Sequence, residues 1–434
     1  MKATTKTGLS VFTLAMLITV SIDSIRNLPA TALFGSSLIF FFVFATVLFL
    51  IPAALVSAQL SSTWTKEGGI YHWVRMAFGE KMAFLAIWLQ WINTMVWYPT
   101  ILSFIAGTAT FLFDPTLAQN KFYLVSVILG VFWILTLLNL KGLQTSARFA
   151  SFCAVFGMII PMALIITLAG IWVFGGRPLQ LHVTTQNIIP HFAHAQSWIS
   201  LTAIMTAFLG MELATVHIRN IKNAQHKFPK ALFWSVLIIT ITMLCGSLAI
   251  AFVLPVAKIH LVDGVMQAFV NFFTVYHLKW MIPVIAIALL IGSLGGMINW
   301  VISPAKGLLQ AAEKGYLPKF FQKENKHQVP SHLLLTQALL VSAVCSAFLL
   351  MPSVNGSYWL LTDLSTQLYM VMYVLMFLAA IAIFYKYSDH PKTFTIPGGK
   401  VGYWITCLFG IIGCSITIVV GFFPPSGINV GGPV

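Results

Sequence analysis

Charge is what this sequence has least of. Of its 434 residues only 8% are Asp, Glu, Lys or Arg, against roughly a quarter in soluble domains. So few charges cannot cover a water-facing surface. That excludes a cytosolic enzyme, a disordered chain and a nucleic-acid binder, and no nucleic-acid partner is expected. Acids are scarcest, with 10 Asp and Glu against 24 Lys and Arg, giving a net charge of +14. Cysteine is sparse and odd in number: Cys153, Cys245, Cys345, Cys407 and Cys414 all lie in apolar segments. No Cys-x-x-Cys, no Cys/His cluster, no His-x-x-x-His and no Ser/His/Asp set is present. The cysteines therefore read as packing residues, and neither a metal, a cofactor nor a catalytic centre is called for.

What fills the chain is apolar, at 59%. A helix needs about 20 apolar residues to cross the hydrocarbon. Eleven such runs occur, at 9–33, 38–60, 82–113, 122–140, 149–174, 197–217, 231–255, 281–305, 332–351, 358–385 and 402–423. They are apolar all round rather than alternating, so the expectation is an all-α integral membrane protein in a lipid bilayer and not a barrel. Lys2 and Lys6 before Leu9–Val20 resemble a signal peptide, but no small-x-small cleavage site follows, and the run reads as a retained first helix.

Basic residues set the expected orientation. Of the 24, Lys121, Arg177, Lys258 and Lys279 fall on one side and Arg26 lies within the first run, which leaves nineteen on the other side. The crowded side, with the N-terminus, is expected in the cytoplasm. A multi-pass inner-membrane location follows.

Charges inside the runs are Asp23, Arg26, Glu212 and Asp363. Each costs at least about 2.5–3.5 kcal/mol on insertion scales and needs a reason. Asp363 lies near the outer end of its run and reads as hydrated. Asp23 and Arg26 sit in Ser21-Ile22-Asp23-Ser24-Ile25-Arg26-Asn27-Leu28-Pro29, a stretch of polar residues and poor helix formers closed by a proline. Either the helix breaks here and exposes backbone groups to a cavity, or Asp23 and Arg26 pair at i, i+3 on a straight helix. Glu212 follows Phe208-Leu209-Gly210-Met211. It reads as a proton carrier, the blander alternative being a permanently protonated side chain bonded to a carbonyl. Asp23 and Glu212 lie at similar depth in runs one and six, which run in opposite directions. An inverted repeat produces that relation.

These residues resemble the amino acid–polyamine–organocation (APC) superfamily, and within it the bacterial glutamate/γ-aminobutyrate antiporters. The resemblance spans Leu14 to Pro425. It rests on Glu67-Gly68-Gly69-Ile70-Tyr71-His72-Trp73-Val74, Asn139-Leu140-Lys141-Gly142, Gly210-Met211-Glu212 with Asn223 and Pro229, Gly264-Val265-Met266-Gln267, Ser303-Pro304-Ala305-Lys306-Gly307, Gly315-Tyr316-Leu317-Pro318 and Phe394-Thr395-Ile396-Pro397-Gly398-Gly399-Lys400. Departures exist: the first break lacks the glycines common in the family, and Asn220 and Asn223-Ala224 stand where the family usually has an acid and Asn-Pro. The resemblance implies a LeuT-type fold of five plus five inverted helices. Residues 1–196 would form the first repeat and 197–385 the second, with 386–434 carrying helix eleven and a tail. A twelfth helix, usual in the family, would begin just beyond Val434.

It also implies an amino-acid antiporter working by alternating access. Ser21, Ile22, Asp23, Ser24, Arg26 and Asn27 would meet the substrate carboxylate. Phe208, Leu209, Gly210 and Met211 would meet its ammonium group, with Phe208, Trp91 and Trp300 capping the site and Glu212 coupling a proton. No Asp/Ser/Thr cluster on spans five and eight announces sodium. Alternatives are a proton-coupled importer of cationic or neutral amino acids, or a transporter-like sensor. His182, His191, His194 and His217 read as solvated bystanders more readily than as a pH sensor. Neither the particular amino acid nor the oligomeric state follows from the residues.

Overall fold

A computed structural model describes residues 10–64, 69–143, 147–181, 188–190, 195–213 and 223–423, with 425 and 428, but not the side chains at 17, 21, 147, 148, 150, 151, 195–197, 224 and 225. Glu67, Gly68, Asn220 and the histidines 182, 191, 194 and 217 lie outside the described residues, as does the side chain of Ser21. Every described regular element is a helix. In order they are α1 (Val11–Ile22), α2 (Leu28–Ala32), α3 (Gly35–Thr63), α4 (Ile70–Phe78), α5 (Glu80–Thr110), α6 (Lys121–Leu140), α7 (Phe152–Phe174), α8 (Ala195–Ala207), α9 (Ala224–Val253), α10 (Gly264–Val275), α11 (Met281–Glu313), α12 (Ser331–Leu350), α13 (Val354–Lys386) and α14 (Gly399–Val420).

Eight of these are long and apolar enough to cross a membrane, and α1 with α2 forms a ninth span bent by 44°. The remaining two expected spans differ. Run 82–113 is the continuous 31-residue α5, with Pro99 inside it; run 197–217 is described as the 13-residue α8 followed by turns. Two further helices, α4 and α10, are too short to register as spans in the sequence. Both are amphipathic and lie at opposite ends of the bundle.

Capping fixes several starts. Ser10, Asn120 and Ser353 each accept a backbone N–H through the side chain, from Thr13, Tyr123 and Gly356 at 2.9–3.1 Å, which satisfies amides a helix start leaves free. Prolines leave their own mark. Pro52 and Pro161 each follow a π-helical turn, at Thr46–Leu50 and Val155–Ile159, where a missing N–H and a ring clash shift the upstream bonds.

The basic end of the bundle is tied together at Glu80. Tyr71 of α4 donates to it at 2.6 Å, Lys314 after α11 donates at 3.2 Å, and Arg75 pairs at 3.8 Å. The hydrogen bond from Tyr71, then that from Lys314, holds the Glu80 carboxyl below its ordinary range. Lys386 donates to the Met76 carbonyl beside it. At the far end Gln119 donates to Asp263, and Leu261 N–H to Asn355.

The buried side chains form two cores. One gathers α1, α3, α4, α7, α9, α10, α14, most of α8, the first part of α11 and the later part of α13. The other gathers α5, α6, α12, the later part of α11 and the start of α13. Close approach of α7 to α11 depends on two glycines: a Cβ on Gly157 or on Gly292 would strike the other's backbone. Without a hydrophobic drive between helices in lipid, such small-residue crossings hold the bundle by packing. Gly292→Ala is expected to lower the melting temperature in detergent, losing about 1–3 kcal/mol by overpacking. Gly130→Ala, at a site with open space around it, is the control and should melt like the parent; equal melting of both variants would contradict the crossing.

Candidate functional site

The first helix stops at Ile22. Asp23 and Ser24 are extended, with φ, ψ of −61°, 127° and −142°, 112°, and Ile25–Asn27 forms a single 3-10 turn. Pro29 has no N–H to offer the Ile25 carbonyl, and the Leu28 N–H takes it instead in the tighter spacing. The amides of Ile25 and Arg26 open this turn, where no preceding helical carbonyl serves them. The break expected from the sequence is present.

The second interruption follows Ala207. Phe208 N–H bonds to Met205 O at 3.1 Å, Leu209 N–H to Thr206 O at 3.4 Å, and Leu213 N–H to Gly210 O at 3.0 Å. The spacing has tightened and the ladder ends. Gly210 sits at φ +105°, a conformation that a side chain resists. Its N–H leaves the helix pattern and donates to the Tyr373 hydroxyl at 3.2 Å.

The two interruptions meet. Ile22 reaches within 3.8 Å of where a Cβ on Gly210 would lie. The helices approach from opposite ends. Val11 starts at the basic end beside Lys230 and Phe394. Trp198, on the first described turns of α8, packs on Phe41 and Phe44 near the far end of α3.

The charged residues do not pair as i, i+3. Among the described residues no ion pair joins Asp23 to Arg26. Asp23 is buried and turns to α9, with Thr242 Oγ1 2.7 Å from Oδ2, while among the described residues Oδ1 has no partner. Arg26, also buried, turns to α5. Its Nη1 donates to Thr100 Oγ1 at 3.0 Å and its guanidinium lies 5.2 Å from the Trp97 ring centre, while among the described residues Nε has no partner. Thr100 in turn donates to the Trp97 carbonyl at 2.8 Å. The junction therefore holds a buried carboxylate oxygen and a buried guanidinium N–H, both unsatisfied, on opposite walls.

Glu212 is 1% exposed and is gripped by α13. Tyr369 donates to Oε1 at 2.7 Å, and Tyr373 donates to Oε2. Tyr373 thus receives the Gly210 amide and donates to Glu212, closing the broken turn onto α13. Two phenols hold Glu212 here, where the blander sequence reading expected a carbonyl.

The other named residues divide. Ile22, Asn27, Phe208 and Met211 are buried, and Ser24 and Leu209 are half-buried at the junction. Phe208 packs edge-on to Phe42 at 5.8 Å. Trp300 remains 42% exposed and stacks on Trp97 at 5.1 Å, so it reaches Arg26 only through that ring. Trp91 points elsewhere, with Nε1 donating to Gln337 at 3.3 Å and its ring against Trp88. Asp363, expected to be hydrated, is 8% exposed: Gly421, just after α14, packs against it, Gln367 donates to Oδ2 at 2.9 Å, and among the described residues Oδ1 has no partner. Thr100, Trp97, Thr242, Tyr369 and Tyr373 were not singled out from the sequence. Tyr369 and Tyr373 could have been, as polar residues one turn apart in an apolar run.

Comparison with known proteins agrees with this architecture. A family model described as amino acid permease matches residues 9–434. An uncharacterised transporter of Legionella pneumophila is 41% identical over 425 residues, covering 98% of this chain and 91% of its own. A glutamate/γ-aminobutyrate antiporter of Lactococcus lactis is 29% identical over 428 residues, covering 97% and 84%. The putrescine transporter of Escherichia coli is 25% identical over 333 residues, covering 76% and 72%.

Tyr373→Phe removes an acceptor from the Gly210 amide and a donor from Glu212 together. Detergent melting should fall by the equivalent of about 1–3 kcal/mol, the cost of leaving a buried polar group unpaired. A melting temperature equal to the parent's would show that the broken turn is held by something else.

Proposed function

Since the chain belongs to the amino acid permease family of the APC superfamily, whose members matched here are multi-pass transporters of small molecules, we propose that it is an amino-acid antiporter of the glutamate/γ-aminobutyrate kind, working by alternating access in the bacterial inner membrane. The observation that carries the reading is the meeting of two interrupted helices beside buried Asp23, Arg26 and Glu212. Irregular backbone at membrane depth is tolerated only where it lines a cavity or is buried in protein, and in transporters such half-helix ends face the substrate.

The chemistry suits a zwitterion. The start of the 3-10 turn presents free amides and a positive dipole end, with Arg26 Nε alongside, to a carboxylate. The carbonyls that close α8 near Phe208–Met211, with Asp23 Oδ1 on the opposite wall, accept from an ammonium. Ile22, Ser24, Asn27, Leu209 and Gly210 shape the space between, and Phe208 closes it. Trp300 acts at one remove, through Trp97, and Trp91 shapes α5 from behind. Bound in this way, one carboxylate and the ammonium group bring equal and opposite charges into the bundle, and a second carboxylate, as in glutamate, adds one negative charge for Arg26 to meet.

Glu212 is the coupling group in this reading. As a carboxylate it accepts from both tyrosines. When protonated it gains a proton of its own to donate and becomes a weaker acceptor, so both tyrosine bonds lose their charge-assisted strength. Since Tyr373 also receives the Gly210 amide, a proton on Glu212 and the set of the broken turn are linked. We place the repeat boundary at 196/197 and the basic end, with the N-terminus, in the cytoplasm, on the uneven split of Lys and Arg between the two sides. A sensor that binds without transport is the competing reading.

Counterflow in proteoliposomes tests the function. Vesicles preloaded with γ-aminobutyrate or glutamate should take up labelled glutamate far faster than empty ones. Equal uptake would indicate an importer, and binding without flux would indicate a sensor. Arg26→Ala should weaken exchange of amino acids with a second carboxylate most, by roughly thirtyfold, equivalent to about 2 kcal/mol; equal loss for every substrate would make Arg26 structural. Glu212→Gln should flatten the pH profile of exchange, and an unchanged profile would remove its coupling role.

A further inference from the structure

The α8–α13 interface carries a row of hydroxyls that the binding junction does not use. Helices α8 and α13 run in the same direction, since Thr206 meets Thr366 while Glu212, further along, meets Tyr369 and Tyr373. On α13 the residues 362, 366, 369 and 373 recur at helical spacing and therefore share one face. Thr206 Oγ1 and Thr366 Oγ1 are 2.5 Å apart, and each also lies 2.7 Å from its own helix's carbonyl one turn back, Thr202 O and Thr362 O, so one of the two hydroxyls must turn from that carbonyl before it donates across the pair. One turn nearer the far end, Thr202 and Thr362 are both buried, and among the described residues neither hydroxyl has a partner. Asp363, next in sequence, brings a second buried carboxylate with a free oxygen to that same turn.

The row sits in otherwise apolar packing, where a lone hydroxyl is costly. Two unpartnered hydroxyls on one polar stripe fit ordered water, which needs two to four polar partners. A hydroxyl both donates and accepts, so a file of them with water can pass a proton. From Thr362 to Tyr369 the file is about 10 Å long at 1.5 Å per residue.

We propose that this row is the route by which a proton from the far face reaches Glu212, entering beside Asp363 and passing Thr362 and Thr202, then Thr366 and Thr206, then Tyr369. At each step one O–H bond breaks as the neighbour behind forms its replacement. The net change is one proton taken from the far face and one new O–H bond on the Glu212 carboxylate, with no electron transferred. The groups that face Glu212 and its partner fit this direction. Tyr369 and Tyr373 come from α13, Gln90 of α5 stands beside Tyr369, and uncharged Phe49 of α3 closes the other side against Tyr373. The inference rests on the proton-coupling reading of Glu212.

The test separates exchange from proton flux in the full-length protein. Proteoliposomes carrying a trapped pH-sensitive dye are challenged with a mixture of the twenty amino acids, γ-aminobutyrate and putrescine, and counterflow of labelled glutamate is measured in parallel. Thr366→Val with Thr206→Val keeps side-chain volume and deletes the file's best-defined link. We expect substrate-driven proton flux to fall by about tenfold or more, counterflow to stay within about twofold, and Thr→Ser at both positions to restore the flux. Thr362→Val removes a hydroxyl with no partner among the described residues and so reads the same route should the double variant fail to assemble. Proton flux that keeps pace with exchange in these variants would overturn the route. Should Glu212→Gln lose coupled flux while the threonine variants keep it, the route falls and the coupling role stands. Should the parent or Glu212→Gln show no dependence of flux on this carboxylate, both fall.

Discussion

A helix that stops inside an apolar bundle leaves amide and carbonyl groups with no water to turn to, and the rest of this structure is arranged around meeting that need. The hydrogen bond from Gly210 N–H to the Tyr373 hydroxyl is the decisive case. It accepts an amide that the α8 ladder has released, and its own proton goes to Glu212. One phenol thereby fixes a left-handed glycine, orients a buried carboxylate and joins α8 to α13. Remove that bond and the second interruption has no reason to hold its shape, and the meeting with Ile22 that defines the site has no second wall.

The first interruption is satisfied differently. Asp23 and Arg26 are three residues apart, a spacing that on an intact helix would let them neutralise each other. The extended pair Asp23-Ser24 turns their side chains to different helices, Thr242 of α9 and Thr100 of α5. α9 packs in the first core, and the α5 side chains flanking Thr100, Tyr98 and Leu102, pack in the second. The break therefore sits where the cores meet and is attached to both by charged groups that each retain an unsatisfied atom. A relative movement of the cores would be felt there first, which is the geometry alternating access asks for. The ring stack of Arg26 on Trp97 on Trp300 braces the guanidinium from one side and leaves Nε for the other.

Much of this was legible from residues alone, because the signals are local. Spans 122–140 and 149–174 were readable as unbroken apolar runs. The break at 22–27 was readable from Ser, Asp and Asn before Pro29, and that at 207–212 from Gly210 before an isolated carboxylate. Partners were not legible. Thr100 and Thr242 lie on continuous helices, where a threonine ordinarily bonds back to its own turn, and both do so as well. Nothing in their neighbourhood in sequence announces Arg26 or Asp23. Helices α4 and α10 were missed because a search for spans passes over short amphipathic pieces. The hydration expected for Asp363 failed because depth in a run says nothing of what packs beside it, here Gly421 just after α14.

The central claim, that a zwitterion is gripped between the two interruptions, is most directly tested by substrate protection of single cysteines. On a cysteine-free background, Ser24→Cys and Leu209→Cys are labelled with a small hydrophilic thiol reagent in proteoliposomes, with and without saturating glutamate or γ-aminobutyrate. The account predicts that both label and that substrate slows labelling of both, while a cysteine at Gly130, away from the junction, is indifferent to substrate. Labelling at 24 and 209 that substrate leaves untouched would contradict it.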